Sequence, residues 1–482
     1  MKVCMFSYHE CNKYYITARR VARSLAQAGY DVRIIALLTN NTEPYEEGDG
    51  YRIYRVKLAP LRRVMMRLIS LPARFGKKLL SLVRKESNSS SSRADEDDVT
   101  SNPPPSSAGA RLDGAADRGW YPVGGHVSVF HPLVLGYGLL RLLYRGVCRL
   151  WYKMARWLLV KLPYAYLQYL DYYYRGFRLA RQEPADIYHA HDLITLPVAW
   201  LCSRLTGGKL VYDSHELWLD RWRPDGRSRL NRFIVMKLES FLIRRTDVNI
   251  APGESVARQL SRRYHIAPTV ILNAPHYRPF ERSTVFRDKL GIPEGEKIVL
   301  YMGRISSVRG EGEAIRSLKY LSQCSLVIFG FGTDYCISDL KELIRHEGLT
   351  DRVYFLDAVP FDEVTRHAMS ADVGLVLHKN ICLNYYYVSP CKLFEYMGAG
   401  LPMVGSNFPD VKMYIEGYGL GVTCDPDNPR DIANAIEYIL SDENRYNEMK
   451  ENALEAAKIF SWENESKKLL ALYEGLSSRK NV

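Results

Sequence analysis

Ser389-Pro390-Cys391-Lys392-Leu393-Phe394-Glu395-Tyr396-Met397-Gly398-Ala399-Gly400-Leu401-Pro402 decides the reading of this chain. It follows an apolar run, Val373 to His378, and a polar loop rich in tyrosine. Pro390 has the fixed φ and the missing N–H that suit the first turn of a helix. Lys392, Leu393, Phe394, Tyr396 and Met397 then read as helix, stopped by Gly398, Gly400 and Pro402. Glu395 therefore stands in the first turns of a helix whose N-terminus faces the carboxyl edge of a sheet. A carboxylate there accepts two hydrogen bonds from a vicinal diol such as a ribose. Capping of its own helix is the other reading, and the residues alone leave both open.

Strands and helices alternate outward from this block. In the second half, Lys297 to Met302, Ser325 to Phe329, Val353 to Leu356, Val373 to His378 and Met403 to Gly405 read as strands. Amphipathic helices such as Ile337 to His346 and Asp431 to Leu440 separate them. The first half carries the same grammar. Its strands are Lys2 to Ser7, Asp31 to Leu37, Tyr51 to Leu58, Asp186 to His189, Lys209 to Tyr212, Val248 to Ala251 and Val270 to Leu272, with a helix from Ile16 to Ala28. Two successive α/β units of this kind predict two Rossmann-like, doubly wound parallel-sheet domains facing each other across a cleft. The boundaries are 1–275 and 276–456, with a linker near Ala274 to Pro279 and a C-terminal helix in 457–482 that packs back on the first domain.

At 482 residues the chain exceeds what one core serves. A hydrophobic content of 47% with 25% charged residues fits a soluble globular protein. The net charge of +12 is uneven: residues 1–275 carry +18 and residues 276–482 carry −6. A basic first half calls for an anionic partner, nucleic acid or a membrane surface. No nucleic-acid-binding module is recognisable, so no nucleic acid is expected. Nine scattered cysteines without a Cys-x-x-Cys pair argue against disulfides and zinc and fit a reducing cytosol. Met1 to Phe6 runs straight into a strand, without the layout of a signal peptide.

One interval breaks the rhythm, an insertion at about residues 60–180. Ser87 to Arg118 is poor in large apolar residues and reads as a disordered loop. Basic, apolar stretches flank it, Leu61 to Lys85 and Leu133 to Arg181. Arg141, Arg145, Arg149 and Lys153 fall at i, i+4 spacing and form one stripe. Such a helix lies on anionic lipid or packs on its own domain with a solvated edge. Gly119 to Leu140 is uncharged and long enough to span a bilayer, but two prolines, two histidines and five glycines argue against a spanning helix.

Tyr301-Met302-Gly303-Arg304-Ile305 ends a strand, and Val308-Arg309-Gly310 follows on the loop. Gly303 lets a ligand approach the backbone, and two guanidiniums suit a diphosphate. Phe329-Gly330-Phe331-Gly332 and Asp357-Ala358-Val359-Pro360 end neighbouring strands on the same edge, where Gly330, Gly332, Ala358 and Val359 would line a nucleotide site. In the first half, Ile187-Tyr188-His189-Ala190-His191-Asp192 and Val211-Tyr212-Asp213-Ser214-His215-Glu216 end adjacent strands. Polar groups at two strand ends make a substrate pocket, a metal site or a set of structural histidines.

These residues resemble glycosyltransferase family 4, the retaining sugar-nucleotide enzymes of the GT-B fold. The Gly-Arg and Arg-Gly pair, the block from Ser389 to Pro402, and Phe460-Ser461-Trp462-Glu463 carry the likeness, over all but about residues 60–180. The resemblance implies that Arg304 and Arg309 hold the donor diphosphate, Arg309 standing where the family usually has Lys. It implies that Glu395 binds the ribose beside Lys392 and Leu393, and that His191 lies near the reacting sugar. The family's glutamate pair places its first member at Tyr387, so the glutamate is replaced there. The glycine-rich loop after the first strand is replaced by His9-Glu10-Cys11-Asn12-Lys13. His9, His189, Asp192, His215 and Glu216 would form the acceptor side.

The implied function is retaining transfer of a sugar from a nucleotide diphosphate sugar to a lipid-linked or membrane-presented glycan acceptor. No cofactor and no metal are expected, because no Asp-x-Asp fits a metal–diphosphate site: Asp425-Pro426-Asp427 reads as a turn. The expected place is the cytoplasm, peripheral on the inner face of the cytoplasmic membrane. A sugar-nucleotide epimerase of the same fold and a binding protein without turnover are the rival readings.

Overall fold

A computed structural model describes residues 1–9, 11, 17–40, 42–59, 164–222, 228–306 and 308–478. The chain divides into two compact units, residues 1–58 with 169–482, and residues 59–168. Nearly all of the second unit, including the stretches read above as disordered and as interfacial helix, lies outside the described residues.

In chain order the elements are β1 (Lys2–Ser7), α1 (Thr17–Gln27), β2 (Asp31–Leu37), β3 (Tyr45–Gly48), β4 (Tyr51–Val56), α2 (Tyr164–Gln182), β5 (Ile187–His191), α3 (Asp192–Thr206), β6 (Lys209–Asp213), α4 (Arg229–Ile243), β7 (Val248–Ala251), α5 (Glu254–Tyr264) and β8 (Thr269–Val270). Then come α6 (Val285–Leu290), β9 (Lys297–Ile305), α7 (Glu311–Ser317), β10 (Cys324–Gly332), α8 (Asp334–His346), β11 (Val353–Asp357), α9 (Phe361–Ala368), β12 (Val373–Val376), α10 (Leu383–Tyr386), α11 (Cys391–Gly398), β13 (Met403–Ser406), α12 (Pro409–Ile415), β14 (Gly421–Cys424), α13 (Pro429–Leu440), α14 (Glu443–Ile459) and α15 (Trp462–Ser478).

The first sheet has the order β3-β4-β2-β1-β5-β6-β7-β8, and the second β11-β10-β9-β12-β13-β14. Among the described residues only the β3–β4 pair is antiparallel. Central strands such as Ile298 to Met302 are apolar on both faces because helices cover both. The strand order reverses between β1 and β5 and between β9 and β12, and ligands of open α/β sheets bind outside the carboxyl ends at such points.

Contacts from several elements join the two sheets' lobes. Trp462, Leu469, Tyr473 and Leu476 of α15 pack into the first lobe's core with Val21 and Leu25, and Trp462 Nε1 donates to Ser24 Oγ at 2.9 Å. Asp410 of α12 is wholly buried and accepts Ser255 N–H at 3.1 Å, so it caps α5 from the opposite lobe. Asn384 of α10 accepts Leu217 N–H at 2.8 Å and donates to Glu216 Oε2 at 3.0 Å.

The end of the stretch read as an interfacial helix folds onto its own lobe. Tyr172 of α2 is fully buried, and its hydroxyl lies 2.9 Å from Ile35 O. Among the described residues no helix is long and apolar enough to cross a membrane.

Candidate functional site

Strand β9 delivers Gly303 and Arg304 to its carboxyl edge, and the loop to α7 carries Arg309. Gly303 has φ +119°, with open space where a Cβ would stand. The loop is held by a residue the sequence reading missed. Glu311 is buried, and its Oε1 accepts Tyr301 O–H at 3.0 Å and Ser306 N–H at 2.6 Å, while Oε2 accepts Arg309 N–H at 3.1 Å. Burial raises its carboxyl pKa even against these donors. An acid at the first position of a short helix after a basic loop was the only signal for it. Glu311→Ala frees the loop and lowers kcat/KM about tenfold, the cost of about one displaced charge-assisted contact. Unchanged kinetics would show that the loop keeps its shape without the carboxylate.

Arg304, Arg309 and Lys392 line one cavity of about 590 Å³ together with Asp213, His215 and Glu216 of the other lobe. Arg309 stands 5.3 Å over the Tyr385 ring, with Nε 3.4 Å from its hydroxyl. Lys392 is buried, lies 4.2 Å over the Tyr301 ring, and has no hydrogen-bond partner for Nζ. Burial and then the neighbouring Arg309 push its pKa down. Two guanidiniums and the Lys392 amine beside one carboxylate, itself spent on loop N–H groups and the Tyr301 hydroxyl, leave this wall short of negative charge.

On the first lobe, Asp213 ends β6 among three imidazoles: His191 Nδ1 at 3.3 Å, His215 Nε2 at 3.4 Å and His189 Nε2 at 3.7 Å. Burial works against its charge, but the His215 cation and the histidine hydrogen bonds hold it well below the usual carboxylate range. Burial also works against the His215 cation, yet Asp192 and Asp213 raise it to about 10. His191 is pushed down to about 3 by burial and by His189, stacked 4.3 Å away, so it is neutral. Asp192 takes φ +67°, in the left-handed region that a non-glycine residue enters at a cost. That turn aims its carboxylate at His215, with Oδ2 3.6 Å from Nδ1.

Several expected site residues stand elsewhere. Of the acceptor set, His215 and Glu216 line the cavity. His191 and His189 are buried beneath it, His189 bonded to Tyr473 O–H at 2.6 Å, and Asp192 holds His215. Exposed His9 follows β1, outside the cavity wall.

Of the donor set, Glu395 is 2% exposed and bonded to the Thr365 hydroxyl, with Oε1 unpartnered. Burial lifts it to about 7 despite Thr365 and Arg20. Its helix turns it inward, so it is not among the cavity-lining residues. A Cβ at Gly330 would meet Gly303 O at 1.8 Å and one at Gly332 would meet Ile305 Cβ at 2.9 Å, so both glycines serve strand contact. Leu393 is core, Val359 packs against the second lobe's core, and Ala358 is half-buried on the loop. Tyr387 ends α10 against the first lobe's core, and Asn384 and Tyr385 occupy the wall instead.

His189, His191 and Asp213 bring one donor atom each within 4.8 Å of one another. That set is looser than the roughly 3.4 Å edges of a tetrahedral zinc site with bonds near 2.1 Å.

Comparison with known proteins matches residues 283–456 to the model "Glycosyl transferases group 1" and residues 124–274 to "Glycosyltransferase Family 4". The chain is 25% identical over 311 residues to a D-inositol 3-phosphate glycosyltransferase of Corynebacterium urealyticum, covering 60% of this chain and 72% of that one. Among solved structures it is similar to a sucrose-phosphate synthase from Thermosynechococcus elongatus (TM-score 0.69, 15% identity, 99% and 100% of the two chains). It is also similar to HepE of Anabaena in complex with UDP and glucose (TM-score 0.62, 14% identity, 99% and 100%).

Proposed function

This chain belongs to glycosyltransferase family 4 and has the GT-B fold, and from that premise we propose that it moves a sugar, with retention and without a metal, from a nucleotide diphosphate sugar to a lipid-linked or membrane-presented glycan acceptor. The observation that carries the reading is the two-sided cavity, cationic through Arg304, Arg309 and Lys392 and faced by His215, Glu216 and Arg221. The proposed place of action is the cytoplasmic face of a membrane.

In this reading the arginines and Lys392 bind the diphosphate and stabilise the charge that gathers on it as the anomeric C–O bond breaks. His215 is already protonated, Asp213 is engaged by histidines, and Glu216 is held by Arg221 and Asn384, so none of the three is a free base. The acceptor hydroxyl's proton therefore passes to the leaving phosphate oxygen as the new glycosidic bond forms on the same face. Closure of the lobes on the donor, with Asn384 and Glu216 already bonded across the cleft, would exclude water from it.

The D-inositol 3-phosphate glycosyltransferase relative favours a second acceptor class, a soluble phosphorylated polyol. The cavity-lining His215 cation and Arg221 would suit its phosphate.

Thermal shift with UDP-, GDP- and ADP-sugars comes first, since a ligand of the folded state raises the melting point by mass action. One donor class is expected to stabilise the protein, with slow donor hydrolysis that persists in EDTA. Transfer to membrane lipid rather than to inositol phosphate selects the first acceptor reading. Neither stabilisation nor hydrolysis with any donor would end the proposal.

A further inference from the structure

Helix α4 carries two apolar faces, and only one is used. Ser228 caps it, accepting Asn231 N–H at 3.2 Å. Val235, Leu242 and Ile243 face the lobe. The opposite side exposes Leu230 (69%), Phe233 (52%), Ile234 (55%), Leu238 (43%) and Phe241 (42%). Their spacing of i, i+3, i+4, i+8 and i+11 is one continuous helical stripe. Neighbouring α3 adds exposed Leu201 and Leu205. Single exposed apolar residues are ordinary, whereas a stripe of this extent marks an interaction surface.

The charges around the stripe select its partner. Arg229 and Lys237 lie on the helix and Arg245 just beyond it, all exposed, whereas Arg232 and Arg244 turn to the lobe, to Asp220 and to Tyr264 O. Lys237 Nζ stands 5.4 Å over Phe233, and the Arg245 guanidinium 3.6 Å over Phe241. The helix's one acid, Glu239, is 1% exposed and faces inward to Tyr264 O–H at 2.8 Å. The outer face is thus apolar and purely cationic, which repels a second copy of itself and fits anionic headgroups above acyl chains. Its position agrees. Arg221 and Trp222 line the cavity mouth, and Arg232 ties α4 to the same segment through Leu219 O at 3.0 Å and Asp220 Oδ1 at 2.7 Å.

We propose that the exposed face of α4 docks on an anionic lipid bilayer and so presents the cavity mouth to a membrane-held acceptor. The inference rests on the membrane-presented acceptor proposed above, and its test separates the two.

The full chain is floated with phosphatidylcholine vesicles with and without phosphatidylglycerol, at low and high salt, beside the Phe233→Asp/Ile234→Asp double variant and Lys237→Glu. Wild type is expected to float with the anionic vesicles at low salt and to sink at high salt. The double variant should bind about tenfold less or weaker still, and Lys237→Glu should bind less at low salt only. Both variants should keep wild-type melting and donor hydrolysis, since these side chains face solvent. Wild type that stays at the bottom, or a double variant that floats as wild type does, overturns the docking surface. So does a wild-type dimer in sedimentation that the double variant splits. Loss of flotation in the variant with no donor hydrolysis by any form supports the surface and removes the proposed transfer reaction instead.

Discussion

Arg309→Ala lowers kcat/KM for the sugar nucleotide by about ten- to a hundredfold, the equivalent of one charge-assisted contact of roughly 1.5–3 kcal/mol. Arg309 is half-buried, and its guanidinium is fixed over Tyr385, so it meets the diphosphate without first being ordered. The loss should appear in kcat as well as KM, because charge on the leaving diphosphate grows toward the transition state. A second consequence is internal. Arg309 is one of the two causes that push Lys392 down, so its removal lets Lys392 hold its proton to higher pH. The activity that remains should therefore persist further into the alkaline range than in wild type. Arg309→Lys keeps the charge but not the planar fork, and should recover part of the loss. Full activity in Arg309→Ala, or a KM effect alone, would mean that the guanidinium does not face the departing phosphates.

The donor lobe was legible because its chemistry follows strand ends. Apolar runs of five or six residues marked β9, β10 and β12, and the residues after β9 could only stand at the carboxyl edge. Strands β3 and β14 escaped notice: Tyr45–Gly48 is a polar edge strand, and Gly421–Cys424 is four residues that begin on a glycine and run into Asp425-Pro426. Side-chain direction was harder to read. Period two places His189 and His191 on one face, as found, but cannot say that both point under the cavity while His215 reaches it. Glu395 poses the same difficulty in a helix, where one turn separates cavity-lining Lys392 from a carboxylate that lies buried. Asn384 and Glu311 carried little local signal. One acts across the lobes and the other on its own loop's backbone, contacts that only the folded chain creates.

Asp213→Asn should cost about 3 kcal/mol of stability, the lower end for removing one partner of a buried ion pair, because 27% of the His215 side chain reaches solvent. The aspartate is 11% exposed in its side chain and has three histidine nitrogens within 3.7 Å, so the neutral variant leaves His215 with Asp192 as its remaining carboxylate partner at the cluster. The pH dependence follows from the two shifts. His215 is raised to about 10 in the fold, so its contribution is complete below its unfolded value near 6.5 and fades as pH climbs through 10. Asp213 is depressed, so its contribution is present above its unfolded value near 3.9 and is lost as pH falls toward the folded one. The gap in stability between wild type and Asp213→Asn should accordingly be widest between about pH 4 and 6.5 and narrow steadily toward pH 10. Melting curves at a fixed scan rate across that range measure it. A gap that stays constant from pH 6 to 10 would mean that His215 is not a cation held by Asp213. It would then be available as a base, and the proton path from the acceptor to the leaving phosphate would have to be redrawn.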